Sequence, residues 1–222
     1  MQKFETPAPV RAILDIPAGR VRVVAAEQAD TTVDILPADA SRKRDVKTAE
    51  KTTTVYGDGV LRIETPANSS HFSLDGALDV TIHLPAGSRI EAKAGSAEFH
   101  TAGPLGHVAF HGAHSTTKID HAAGLELTAN AGNVTVGYLG GDGEVSVTQG
   151  DITIAEAVHG TLTLRTVSGN VTVAAARTTS ATLDATTTHG RIHNSLANAQ
   201  GPRPDLTIHA TTTNGNITAR TL

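Results

Sequence analysis

Gly132, Gly150 and Gly169 stand 18 and 19 residues apart, and each separates two short runs in which apolar and polar residues alternate. The runs before them are Leu125-Glu126-Leu127, Val145-Ser146-Val147 and Leu162-Thr163-Leu164. The runs after them are Val134-Thr135-Val136, Ile152-Thr153-Ile154 and Val171-Thr172-Val173. Alternation with a period of two puts Val134 and Val136 on one face of a strand and Asn133 and Thr135 on the other. Such a short strand cannot bury its apolar face alone. A stack of like strands can, and a repeat near 20 residues is the signature of such a stack. The glycine lets the chain take a corner that a Cβ would obstruct.

Carried along the chain, the pattern gives first runs starting at Ile90, Val108, Leu125, Val145, Leu162, Leu183 and Leu206. The matching corners are Gly95, Ser115, Gly132, Gly150, Gly169, Gly190 and Gly215. This predicts an all-β fold: a right-handed parallel β-solenoid (β-helix) of about seven two-strand rungs over residues 88–222. The second rung is irregular, with Ser115 in place of glycine and Thr117 at an inward position. Residues 1–87 read as a β-rich cap on the stack, the whole forming one continuous structural unit. Within the cap, Thr52–Tyr56 and Val60–Ile63 flank Gly57-Asp58-Gly59 as a hairpin. Pro37 to Glu50 reads as a loop or a poor short helix, its basic run Arg42-Lys43-Arg44 solvated, and Pro66 to His71 as a loop.

Composition narrows the function. Only 3% of the 222 residues are aromatic, as suits a narrow core of stacked Val, Ile and Leu. The net charge is −4, so no basic field invites nucleic acid or anionic lipid. There is no cysteine and hence no disulfide or thiolate chemistry. No run is long and apolar enough to span a membrane, and MQKFETPAPV at the N-terminus lacks the apolar core of a secretory signal. These features predict a cytoplasmic protein without nucleic-acid or membrane partners.

Three stretches carry a resemblance. Leu14-Asp15-Ile16-Pro17-Ala18-Gly19-Arg20-Val21-Arg22-Val23, Leu78-Asp79-Val80-Thr81-Ile82-His83-Leu84-Pro85-Ala86-Gly87 and the Ser168-Gly169-Asn170-Val171-Thr172-Val173 type of corner resemble a family of bacterial β-strand-repeat proteins. The family is common in actinobacteria and known as putative adhesins, a domain of unknown function. The likeness covers nearly the whole chain. It implies a β-solenoid and an adhesin-like role, and brings no catalytic residues with it.

Eleven histidines are many for this length, and His100, His107, His111, His114 and His121 fall close together. His111 and His114 form a His-x-x-His pair in the irregular rung. The alignment puts His114 in the corner column of His189, and His111 in the outward column of Lys93, Arg165 and His209. Imidazoles on stacked rungs could hold Zn2+ or a similar divalent metal. His111, His114 and His121 are the candidate ligands, with Asp120 beside His121. If the protein were an enzyme, His111, His114 and His189 would be its candidate catalytic groups. Outward solenoid positions also accept almost any polar residue, which accounts for the same histidines without a metal.

Two further outward columns are more regular. One holds Asn133, Asp151, Asn170, Arg191 and Asn216, the other Thr135, Thr153, Thr172, His193 and Thr218. They predict hydrogen-bonded ladders along the stack or a flat ligand-binding face. Acids are scattered, and no grouping of Ser, His and Asp emerges. The leading reading is a non-enzymatic scaffold or binding module that presents a polar face to a protein partner. The alternative is an enzyme or metal-binding protein using the His-rich segment 100–121. No segment follows the seventh rung, Leu206 to Arg220, to pair its strands, which predicts a homodimer through that C-terminal rung. The competing expectation is a monomer whose edge is covered by the insert Asn198–Pro204 folding back.

Overall fold

The computed structural model describes residues 1–66, 76–197 and 204–222. Most of the expected loop Pro66–His71 and of the fold-back Asn198–Pro204 lies outside them. The chain divides into two compact units, Met1–Ser115 and Thr116–Leu222. The fold is all-β, with one short helix among the described residues.

The first unit contains β1 (Gln2–Glu5), β2 (Arg11–Ala26), β3 (Asp30–Pro37), α1 (Lys43–Lys51), β4 (Thr53–Gly57), β5 (Val60–Glu64), β6 (Leu78–Pro85), β7 (Arg89–Ala102) and β8 (Pro104–His114). Its organising element is β2, which is itself a run, a corner and a run. The half before the corner lies parallel to β5 on one side and β7 on the other, with Leu14 opposite Ile63 and Ala92. The half after it lies parallel to β6 and β7, with Val21 opposite Val80 and Phe99. Ala12, Leu14, Ile16, Val21 and Val23 are all buried. A boundary at 87/88 is therefore not where the strands part, because β7 pairs along almost the whole of β2. The residues from Arg11 to Ala26 belong to the stacked strands, and capping falls to fewer elements. These are antiparallel: β4 against β5, β3 against β6, and β1 against β3. The hairpin expected between Thr52 and Ile63 is present, turning through Asp58 and Gly59 at φ 50° and 75°.

The stretch that reads as loop or poor helix forms α1 over its second half. Its inner side is polar: Asp45 and Thr48 are buried, and they accept the backbone N–H groups of Ala77 and Gly76 at 3.1 and 2.9 Å. Arg42 and Arg44 stay exposed beside Asp39 and Asp45. Few aromatics are needed, but two are used here. Phe99 and Phe110 are fully buried and stack with ring centroids 4.8 Å apart.

The second unit contains β9 (Thr117–Ala131), β10 (Val134–Leu139), β11 (Gly143–Gln149), β12 (Ile152–Ala157), β13 (Gly160–Ser168), β14 (Val171–Ala175), β15 (Ala181–His189), β16 (Ile192–Ser195), β17 (Leu206–Asn214) and β18 (Ile217–Thr221). All pairings among them are parallel and form two ladders. One runs from the second half of β9 through β11, β13 and β17 to β15. The other runs from the first half of β9 through β10, β12, β14 and β18 to β16. Val134, Val136, Ile152, Ile154, Val171 and Val173 are all buried, as their alternation requires. The irregular corner has a cost: Ser115 Oγ and Thr117 Oγ1 are buried with no hydrogen-bond partner among the described residues.

The stacking order corrects the sequence reading. Strands β17 and β18 do not follow β15 and β16; they are inserted between those strands and β13 and β14. The C-terminal rung is thus paired on both sides, so the unpaired edge on which the expected homodimer rested is not at β17 and β18. Burial decides the order. The inward residues of β17 and β18 include Leu206, Ile208, Ala210, Ile217 and Ala219, all buried. Their register partners in β15 and β16 are Ala181, Leu183, Ala185, Ile192 and Asn194, of which only Ala181 is buried. A strand pair with an inward asparagine is better left at the wet end.

The true register also moves His209. Leu162 lies opposite Ile208, so Thr163 and not Arg165 faces His209. Arg165 lies opposite Thr211. Lys93 does lie opposite His111, as expected.

Candidate functional site

The most regular surface is on the second unit, beside the corner glycines. Asn133 Oδ1 accepts the backbone N–H of Asp151 at 3.0 Å, and Asp151 Oδ1 accepts that of Asn170 at 2.7 Å. Asn170 Oδ1 accepts the N–H of Asn216 at 2.9 Å, and Asn216 Oδ1 that of Arg191 at 2.9 Å. Each side-chain carbonyl thus holds the next strand's backbone at a point where the main chain turns. The ladder stops at Arg191, which has no side-chain carbonyl to pass on. Each bond contributes about 1 kcal/mol. Asn170→Ala is expected to lower stability by about that amount, read as a reduced urea midpoint with an unchanged slope.

Outward from this ladder, Thr135, Thr153, Thr172 and Thr218 stand in register on adjacent strands, with Lys118 before them and His193 after. The result is a row of one hydroxyl per strand at the inter-strand spacing of about 4.8 Å.

A second threonine row points the other way. Thr166, Thr212 and Thr187 donate from Oγ1 to the carbonyls of Gly150, Gly169 and Gly215 at 3.0, 3.0 and 2.9 Å. These bonds satisfy corner carbonyls from inside. Sequence reasoning missed the row, although its signal is present: Thr166, Thr187 and Thr212 each precede a corner glycine by three residues.

The histidines are dispersed. His111 and His114 lie exposed on β8 in the first unit, and His100 and His107 are half-buried there. In the second unit His121 sits with Nδ1 3.2 Å from Asp120 Oδ1 and its ring 5.4 Å from that of Tyr138. Tyr138 lies between His121 and Glu156 in register, a row that was not anticipated. His189 lies exposed on β15 opposite Asn214, and His209 Nδ1 is 3.4 Å from Asp184. Among the described residues no group of three or more His, Cys, Asp or Glu stands where it could hold a metal ion.

On the first unit the outward face is laced with ion pairs. Arg11 makes a two-pronged contact with Glu91 at 2.7 and 2.7 Å, which holds the Glu91 carboxyl below its usual range. Arg22 donates from Nη2 to both carboxylate oxygens of Asp79 at 3.1 and 3.0 Å, and Arg20 from Nε to Glu98 Oε2 at 3.0 Å. These groups tie neighbouring strands together.

Strands stacked in parallel register, with a glycine at each corner and an Asx ladder beside it, define a β-strand-repeat protein of solenoid-like build. Over residues 106–221, more than half of its length, the chain matches the Toastrack DUF4097 family, and it belongs to that family. Several solved structures are similar to the chain. A putative adhesin from Parabacteroides distasonis superposes with a TM-score of 0.50 at 14% identity, over 98% of this chain and 95% of that one. One from Bacteroides fragilis gives 0.49 at 11% identity, over 98% and 95%. A putative cell adhesion protein from Clostridium sporogenes gives 0.42 at 14% identity, over 100% and 98%. At 14% identity the likeness to the Parabacteroides distasonis protein concerns fold alone. No curated protein matches the chain.

Proposed function

We propose that this chain is a non-enzymatic, adhesin-like binding module that meets a protein partner through the Thr135–Thr153–Thr172–Thr218 row of its second unit. The observation that carries this reading is the pairing of that row with the Asx ladder beside it. The ladder fixes the backbone at Asp151, Asn170, Asn216 and Arg191, two residues before Thr153, Thr172, Thr218 and His193, so these side chains are held in place before any partner arrives. A preorganised surface loses little conformational entropy on binding, and more of each contact is retained as affinity.

The test replaces two central members of the row, Thr153→Arg with Thr172→Arg. The bait is the purified chain and the prey an extract of its native host, compared by quantitative mass spectrometry. Proteins enriched by the wild type are expected to fall at least tenfold with the double variant, while its circular dichroism stays that of the wild type. His111→Ala with His114→Ala should leave capture unchanged. Equal capture by the arginine variant would refute the assignment of the face. Stoichiometric metal that is lost on the histidine double replacement would turn the reading toward the 100–121 segment.

A further inference from the structure

Two strand pairs of the second unit are near copies of one another. TLDATTTHGRIHN (182–194) supplies most of β15, its corner and most of β16, and TIHATTTNGNITA (207–219) does the same for β17 and β18. Seven of their thirteen positions are identical. The inward residues correspond in the observed register: Leu183 with Ile208, Ala185 with Ala210, Thr187 with Thr212 and Ile192 with Ile217. The second copy lies between β13 and β14 on one side and the first copy on the other.

The contacts that seat a strand pair on the stack are open to either copy. Thr212 Oγ1 donates to the Gly169 carbonyl at 3.0 Å, and Thr187 Oγ1 to that of Gly215 at 2.9 Å. Asn170 Oδ1 accepts the N–H of Asn216 at 2.9 Å, and Asn216 Oδ1 that of Arg191 at 2.9 Å. A Cβ at Gly215 would lie 1.9 Å from the Gly169 carbonyl oxygen, and one at Gly190 1.9 Å from that of Gly215. Each copy thus brings a threonine, a glycine and a backbone N–H to the same three places. Gly169 and Asn170 offer their partners to whichever copy lies next. Register agrees: Leu162 lies opposite Ile208 and Ile208 opposite Leu183, so Leu183 comes opposite Leu162 when the copies change places.

Two positions choose between the orders. Asn194 stands where the second copy has Ala219, and in the inner place its amide would lie between Val173 and Ala219. Arg191 stands where the second copy has Asn216. With Arg191 in the inner place the Asx ladder ends one strand earlier, and the N–H of Asn216 beyond it loses its side-chain acceptor. Both favour the order described above.

We propose that the two copies exchange places, so that the second unit has two strand orders. In the less populated one β15 and β16 lie on β13 and β14, with β17 and β18 outside them. The two packings differ at few side chains, as an element with two arrangements requires. The exchange alters the threonine row. In the order described Thr218 follows Thr172 and His193 comes last; in the other, His193 separates Thr172 from Thr218. That consequence rests on the binding role proposed for the row. The exchange itself does not, and its test needs no partner.

The chain has no cysteine, so introduced pairs report strand order directly. Thr163 lies next to His209, with Asp184 one strand beyond; on its other side Glu126 is likewise next but one. Neighbouring strands are about 4.8 Å apart and next-but-one strands about 9.6 Å, beyond the roughly 7 Å between Cα atoms that a disulfide can bridge. Thr163→Cys is combined with His209→Cys, with Asp184→Cys or with Glu126→Cys, and formation of the intramolecular disulfide is timed under native conditions by mass spectrometry. The pair at 163 and 209 is expected to close fastest. The pair at 163 and 184 is expected to close at least tenfold more slowly, yet at least tenfold faster than the pair at 163 and 126, which neither order brings together. Exchanging the deciding residues, by Arg191→Asn, Asn194→Ala, Asn216→Arg and Ala219→Asn together, is expected to reverse the first two rates while the circular dichroism stays that of the wild type. A pair at 163 and 184 that closes no faster than the one at 163 and 126 overturns the proposal. So does a four-residue exchange that leaves 163 and 209 the fastest pair, or one that fails to fold.

Discussion

Val171→Asp is expected to unfold the second unit or bring it to the edge of unfolding. Val171 lies on β14 between Ile152 of β12 and Ile217 of β18, and it is 0% exposed. A carboxylate there would face only aliphatic side chains. Burying an unpaired charge costs several kcal/mol even after the group escapes by taking up a proton. Native domains are stable by only about 5–15 kcal/mol in total, so the loss is a large share. The adjacent residue supplies the control. Thr172 points outward, and Thr172→Asp is expected to change stability by less than about 1 kcal/mol. Chemical denaturation followed by circular dichroism reads both. Equal losses at 171 and 172 would mean that the period-two alternation does not govern burial here. The contrast also bears on acid sensitivity: the Val171→Asp protein should recover part of its stability below the carboxylate's raised pKa, where the neutral form is buried at lower cost.

The alternation at Val171 is the part of the fold that was legible in advance. Wherever an apolar residue recurs every second position, as at Val134–Val136 and Ile152–Ile154, side-chain direction follows from strand geometry alone. The Asx ladder was legible for the same reason, since equal spacing from a corner glycine puts Asn133, Asp151 and Asn170 in one column. The order of the strands was not, because alternation says which face is buried and not which neighbour buries it. Sequence adjacency suggests that β17 should follow β15. What decides is a comparison between whole strands. Ala219 and Asn194 occupy the same column, and only the first is compatible with neighbours on both sides. Arg191 and His193 interrupt both outward columns at the same strand, and that coincidence marks the end of the stack once it is seen. In the first unit, β2 escaped notice as a member of the stack because its partners come from far along the chain, β5 to β7. The helix α1 depends on Asp45 and Thr48 reaching the backbone at Ala77 and Gly76, a long-range bond that helix propensity cannot show. The histidines are a different case: His111 and His114 fall on β8 of the first unit and His121 on β9 of the second, and a count of histidines along the chain says nothing of which strands carry them.

Gly215→Ala is the substitution that tests the stacking order most sharply. The corner glycines pack directly on one another. A Cβ at Gly215 would sit 1.9 Å from the carbonyl oxygen of Gly169, and φ at Gly215 is +154°. The obstructing atom is backbone, so no side-chain rotation relieves it. Either the corner shifts, which breaks the Asx bond from Asn216 N–H to Asn170 Oδ1, or the two ladders part locally. Strain and overpacking together set the cost at about 3 kcal/mol or more. Gly57→Ala is the neutral comparison, since nothing lies within 4 Å of a Cβ there. Gly190→Ala is the informative one. Its Cβ would also meet a glycine carbonyl at 1.9 Å, that of Gly215. Yet Gly190 joins β15 to β16, which among the described residues each pair on one side only, so that corner has more room to yield. The expected ranking by denaturation midpoint is therefore Gly215→Ala most destabilised, Gly190→Ala intermediate and Gly57→Ala close to wild type. If the strands were instead stacked in sequence order, Gly190 would be the enclosed corner and Gly215 the terminal one. The first two places would then be exchanged, and that result would require the positions of β15 and β17 to be reversed.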